Sequence, residues 1–211
     1  MLIKELCTET VENLLELSPH QVARVELCQH LAIGGVTPFA QTIEYAAKIL
    51  HSKGIALATM IRPRGGDFVY TQEEIELMRT DILKAIKLGS DALVMGLLTL
   101  DNQLDCLAIE SLLPSTQRLP LVFHMAFDLI PKADQLQALE RLIDYSFTRV
   151  LMHGSANLRQ PITDNINYLK SLVDYANNRI EIMIGGGVTA QNCHRLASQI
   201  GTPIVHGTKI I

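Results

Sequence analysis

Two short segments of the chain share one arrangement. Glu5-Leu6-Cys7 and Glu26-Leu27-Cys28 each close an apolar run with an acid, an aliphatic residue and a thiol. Thiolates are soft ligands, and two of them suffice for Cu(I) in a near-linear geometry. Cys7 and Cys28 are therefore candidate copper ligands, with Met60, Met95 and Met125 as further soft donors. The plainer reading is cysteine as a small buried apolar residue. A second set suits acid–base work, or for its histidines metal binding: His124 with Asp128 four residues on, and Glu26, with His153 and His206 ending other runs. A third set, Arg62, Arg64, Gly185, Gly186 and Gly187 with Thr208 and Lys209, outlines an anion site. Glycine there lets backbone N–H groups approach an anion, and arginine adds a bidentate fork. The plainer reading is tight turns, with Arg62 neutralising Glu5 and Glu26. The loop Gly65-Gly66-Asp67-Phe68-Val69-Tyr70 reads either as a lid over a ligand or as an ordered segment packed on its neighbours.

Residues so scattered in sequence can act together only if the fold gathers them. Short runs of strand length, most of them rich in Val, Ile and Leu, occupy 2–7, 22–28, 55–61, 92–96, 119–124, 148–152, 180–184 and 203–206. Helical patterns fall between them at 10–17, 38–52, 72–88, 105–116, 133–145, 164–177 and 190–198. The third of these places Ile75, Met78, Ile82, Leu83 and Ile86 on one stripe. Thr71 is suited to cap it, with Glu73 and Glu74 in its first turn. Gly54 and Gly89 stand where left-handed helix ends are expected. Eight strands alternating with seven helices predict right-handed crossovers and a parallel sheet. That many strands in 211 residues favour closure into a compact TIM-type (β/α)8 barrel, one domain over residues 1–211, without a full eighth helix. A self-contact covering the exposed barrel bottom, hence a homo-oligomer, is a further expectation.

In such barrels the carboxyl ends of the strands form the working face. Side chains alternate along a strand, so Val25 and Leu27 must pack on helices while Glu26 and Cys28 point into the barrel. The same logic turns Glu5 and Cys7 inward. With Arg62 and His124 they predict a buried polar cluster, in which the acids must be paired or protonated. Cys106 and Cys193 fall in helical patterns as packing residues. His20, His30, His51 and His194 lie in helices or loops and receive no role.

Composition narrows the function classes. Hydrophobic residues make up 48% of the chain and charged residues 19%, ample for a core. The net charge of -4 offers no basic surface for nucleic acid. No run of roughly 18 apolar residues predicts a membrane span, and Met1-Leu2-Ile3-Lys4-Glu5 lacks a signal pattern. Four scattered cysteines without a C-x-x-C pair point to reduced thiols in the cytoplasm.

Several strand-end segments resemble the CutC family of copper homeostasis proteins. They are Arg24-Val25-Glu26-Leu27-Cys28, Gly34-Gly35-Val36-Thr37-Pro38, the long Met60-Ile61-Arg62-Pro63-Arg64-Gly65-Gly66-Asp67-Phe68-Val69-Tyr70, Met78-Arg79-Thr80-Asp81-Ile82, Phe123-His124-Met125-Ala126-Phe127-Asp128 and Gly185-Gly186-Gly187-Val188. They run in the family's order over nearly the whole chain. The resemblance implies a TIM-type barrel, a cytoplasmic location and a role in copper homeostasis. Two positions depart from it. Met125 stands where the family usually has Arg, and Met152-His153-Gly154 stands where it usually has Thr-Ser-Gly. The expectations are therefore a copper-handling protein using Cys7 and Cys28, a barrel enzyme for a small anionic or phosphorylated molecule using His124 and Glu26, or a scaffold without catalysis.

Overall fold

The computed structural model describes residues 2–211; Met1, the first residue of the signal-pattern reading, lies outside them. Eight strands form a closed parallel barrel in sequence order. They are β1 (Ile3–Thr8), β2 (Arg24–Leu27), β3 (Ala56–Met60), β4 (Ala92–Met95), β5 (Leu121–Phe123), β6 (Phe147–Met152), β7 (Glu181–Ile184) and β8 (Ile204–Gly207). The outer layer holds α1 (Ala40–Ser52), α2 (Gln72–Lys87), α3 (Cys106–Leu112), α4 (Gln135–Asp144), α5 (Ile166–Ala176) and α6 (Cys193–Ile200). No helix among the described residues is long and apolar enough to cross a membrane.

Local chemistry explains the elements that match expectation. Thr71 accepts from the Glu74 amide and Glu74 reaches back to the Thr71 amide, a complete capping box on α2. Gly54 and Gly89 take φ of +72° and +100° just past α1 and α2. Two expected helices differ. Residues 10–17 form only a 3-10 turn, Glu12–Glu16. Ser18-Pro19 stops so short a segment before hydrogen bonding repays nucleation. Lys53 Nζ then satisfies the carbonyls of Leu15 and Leu17 at 2.6 and 2.8 Å. Segment 105–116 breaks after Leu112 into a 3-10 turn, Leu113–Thr116, because Pro114 has no N–H to continue the ladder. After β8, residues 208–211 carry no helix.

The barrel wall separates two packed regions. Leu6, Val25 and Leu27 belong to the large core between strands and helices. Cys7, Cys28, Ala58, Val94, Val122, Leu151 and Met183 belong to the barrel interior. The alternation expected for β1 and β2 is therefore present. Met95 is a correction: it points outward into the core beneath the helices, and Val94 takes the interior position.

Among the interior aliphatics sits a line of charge. Parallel register sets Glu5 beside Arg24 on one side and His206 on the other. Arg24 Nε donates to Glu5 Oε2 at 2.9 Å, and His206 Nδ1 donates to Glu5 Oε1 at 3.0 Å. Glu5 is fully buried. Burial alone would raise its pKa, but the hydrogen bond and charge of His206, with those of Arg24, hold it at about 2. Replacing it with Gln leaves two buried donors facing a neutral amide. The expected loss for Glu5→Gln in urea unfolding at pH 7 is about 3 kcal/mol. The folded-state value lies below the ordinary 4.5, so the contribution is full above pH 4.5 and lost as pH falls toward 2. The gap between parent and variant should narrow over that window; a gap constant from pH 7 to 2 would refute the assignment.

Candidate functional site

The carboxyl ends of the strands surround one cavity of ≈ 490 Å³. Cys7, Glu26, Cys28, Met60, Arg62, His124, Met125, Gly186, Gly187 and His206 all line it. Residues spread over two hundred positions thus share one space, as register in a closed barrel requires.

On the β1–β2 side the thiols meet. Cys7 Sγ and Cys28 Sγ are 3.9 Å apart, and neither is in a disulfide. Cys7 Sγ donates to Glu26 Oε1 at 3.5 Å, and Cys28 Sγ donates to the Thr8 carbonyl at 3.7 Å. The adjacent Cys28 thiol, burial and the Glu26 carboxyl together push the Cys7 thiol well above its ordinary pKa. Ligand atoms of Cys7, Glu26 and His206 lie within 4.8 Å of one another. Glu26 is pushed up by burial and by the charge of Glu5, against the pull of His206. Burial works to lower His206, but the Glu26 carboxyl and the Glu5 hydrogen bond prevail and raise it. An imidazole oriented by a carboxylate through one nitrogen presents the other as a ligand, the arrangement common around bound metals. The sequence leaves His206 open between acid–base work and metal binding; its partner Glu5 is 201 positions away, and only barrel closure joins them.

The opposite wall is built from Arg62 and His124, and here the expected single cluster divides in two. Arg62 forms no ion pair with Glu5 or Glu26. Its Nη1 donates to the carbonyls of Ile33 and Gly35 at 3.3 and 3.1 Å, and its Nη2 to that of Gly66 at 2.8 Å. The fork expected to grip an anion is spent on backbone, and only Nε is left without a partner. The Phe68 ring lies 4.6 Å from the guanidinium carbon and 4.8 Å from the His124 ring centre.

His124 caps the 3-10 turn Met125–Leu129, accepting the Ala126 N–H on Nδ1 at 3.2 Å. Nδ1 therefore carries no proton, and Nε2–H is a donor without a partner. Burial, with the Arg62 charge, lowers its pKa to about 3. A side chain expected to shuttle protons is held as a neutral donor. Gly96 makes the pose fit, since a Cβ there would overlap His124 Cε1. Nothing local in the sequence marks Gly96. The β4–β5 register, Met95 beside Phe123, is what sets it against the imidazole.

Other expected residues lie outside the cavity lining. Asp128 does not pair with His124. It accepts the His153 and Gly154 amides at 2.8 Å each and so holds the end of β6. Burial pushes its carboxyl up to about 6 despite those bonds. Arg64 binds Glu74 at 2.6 Å, Asp67 at 2.9 Å and the Val69 carbonyl at 2.7 Å, pinning the loop between β3 and α2. Gly185 makes room for Leu151, whereas Gly186 and Gly187, with φ of +73° and +90°, reach the cavity beside Thr208 and Lys209. His153 is tied through its ring nitrogens to the carbonyls of Gly186 at 2.9 Å and Gln160 at 3.0 Å.

Comparison with known proteins agrees with this architecture. The model of the CutC family matches residues 2–211. The family protein CutC of Streptococcus pyogenes is 63% identical over 210 residues, covering all of both chains. The human copper homeostasis protein cutC homolog is 36% identical over 204 residues, 97% of this chain and 72% of its own. The crystal structure of CutC from Streptococcus agalactiae superposes with a TM-score of 0.98 at 53% identity over the full length of both.

The assigned tautomer is directly measurable. Nitrogen-15 NMR of His124 should show the Nε2–H form, still neutral at pH 5. Because its folded pKa lies below the ordinary 6.5, its contribution to stability is full above pH 6.5 and fades as pH falls toward 3. Gly96→Ala should cost about 1–3 kcal/mol through overpacking. Uptake of a proton by His124 near pH 6 would contradict its burial as a neutral donor.

Proposed function

The chain belongs to the CutC family, and from that premise we propose that it binds copper as Cu(I) on Cys7 and Cys28. The observation that carries the reading is two buried sulfurs 3.9 Å apart at the mouth of the barrel. Cu(I) prefers soft, few and close ligands, which two thiolates on adjacent strands supply. The Met60 and Met125 thioethers line the same cavity and add soft character. His206, oriented by Glu5, offers a nitrogen within reach of Cys7. Copper here is cargo. Cys7 and Cys28 would lose their protons to take it, as would the coordinating ring nitrogen of His206. The reading requires a reducing compartment, the cytoplasm, because a disulfide would remove both ligands. The name of the human relative, a copper homeostasis protein, points the same way.

Competition against a Cu(I) chelator tests this. The parent should take one Cu(I). Cys7→Ser combined with Cys28→Ser should weaken binding by more than about 100-fold, beyond the 10–100-fold typical when only an outer partner is lost. Retention of parental affinity by the double variant would overturn the proposal, as would a preference for Zn(II) over Cu(I).

A further inference from the structure

The copper reading leaves the other wall of the cavity unexplained. Arg62 is 4% exposed, yet among the described residues no carboxylate lies within 4.0 Å of it. Glu5 is taken by Arg24 and His206, and Glu26 faces Cys7. Three carbonyls hold the guanidinium in place and the exposed Asp67 acts on it only from beyond ion-pair distance, but dipoles do not neutralise it, and a buried charge without a paired counter-ion is costly. Beside it His124 presents a second buried donor with no acceptor. A native interior rarely leaves such donors unused. Both groups rest against one aromatic ring, Phe68. The face of such a ring is a weak substitute for an anion.

We infer that the barrel mouth binds a small organic carboxylate on Arg62 Nε and His124 Nε2, in the place the Phe68 ring covers. One fixed positive charge and two single donors match the one charge and two oxygens of a carboxylate. A phosphate dianion carries more charge and more acceptors than these donors answer. The remaining wall, with Leu31, Leu151 and Val188, suits a carbon skeleton. Arg64 pins the loop backbone, so the covering ring leaves by side-chain rotation. The anion site uses neither thiol and does not rest on the copper reading.

Metal-free protein, kept with a chelator, is titrated with acetate, pyruvate and oxalate, and with inorganic phosphate and chloride at matched ionic strength. At least one carboxylate should saturate, raise the unfolding temperature and shift the His124 Nε2 and Phe68 ring resonances. Arg62→Gln should weaken binding about tenfold or more, as loss of a charged donor implies. Phe68→Ala should bind at least as tightly as the parent, and the Cys7→Ser, Cys28→Ser variant should bind like it. Failure of every carboxylate to saturate overturns the inference. So does saturation by phosphate or chloride alone, or an Arg62→Gln variant with parental affinity. If Arg62→Gln does not fold, the parent decides: saturation that leaves the His124 Nε2 resonance unmoved overturns the site. Loss of carboxylate binding in the cysteine variant would refute the separation of the two walls.

Discussion

A barrel interior that buries two carboxylates has to compensate them without water, and the Arg24–Glu5–His206 line is how this protein does so. The three groups come from β2, β1 and β8, so the interaction joins the first strands of the chain to the last. The same contact that closes the barrel orients an imidazole at its mouth. Burial, joined by the like charge of Glu5 one strand over, pushes Glu26 toward its neutral form against the pull of His206. The protonation of the cavity floor thus follows from burial together with which strands lie side by side.

Above that floor the cavity has two unlike walls. One is soft and anion-forming, with sulfur, a carboxyl and an oriented histidine. The other is cationic and donor-bearing, with a guanidinium fixed by three carbonyls and an imidazole held neutral by burial. Small residues make the second wall possible. Gly96 admits the His124 ring, and Gly34 leaves room for the Arg62 guanidinium, which a Cβ there would approach within 2.8 Å. Met125 lies with its methyl against Gly186. Arg62 stands as the buried cation of that wall.

Residues outside the cavity lining still shape it. Asp128 fixes the turn after β6 through two amides, and Arg64 stiffens the loop that carries Phe68. Each resembles a reactive residue in sequence, because a charged side chain beside a strand end is where barrels keep their chemistry. Their hydrogen bonds turn them to backbone instead. A buried unpaired backbone group in the loops around the cavity would be as costly as an unpaired side chain.

The chain's own pattern determined the architecture: eight short apolar runs alternating with amphipathic ones close into a parallel barrel. Period-two alternation alone was enough to send Glu5, Cys7, Glu26 and Cys28 inward. Helix caps at Thr71, Gly54 and Gly89 were equally legible, because capping is a local interaction among residues a few positions apart. Only the tertiary structure decided which inward groups become partners. Whether Glu5 meets Arg62 or His206, and whether His124 faces Asp128 or stands as a free donor behind Gly96, depends on the stagger between strands that are distant in sequence. That stagger is a property of the closed sheet. No stretch of residues read alone contains it.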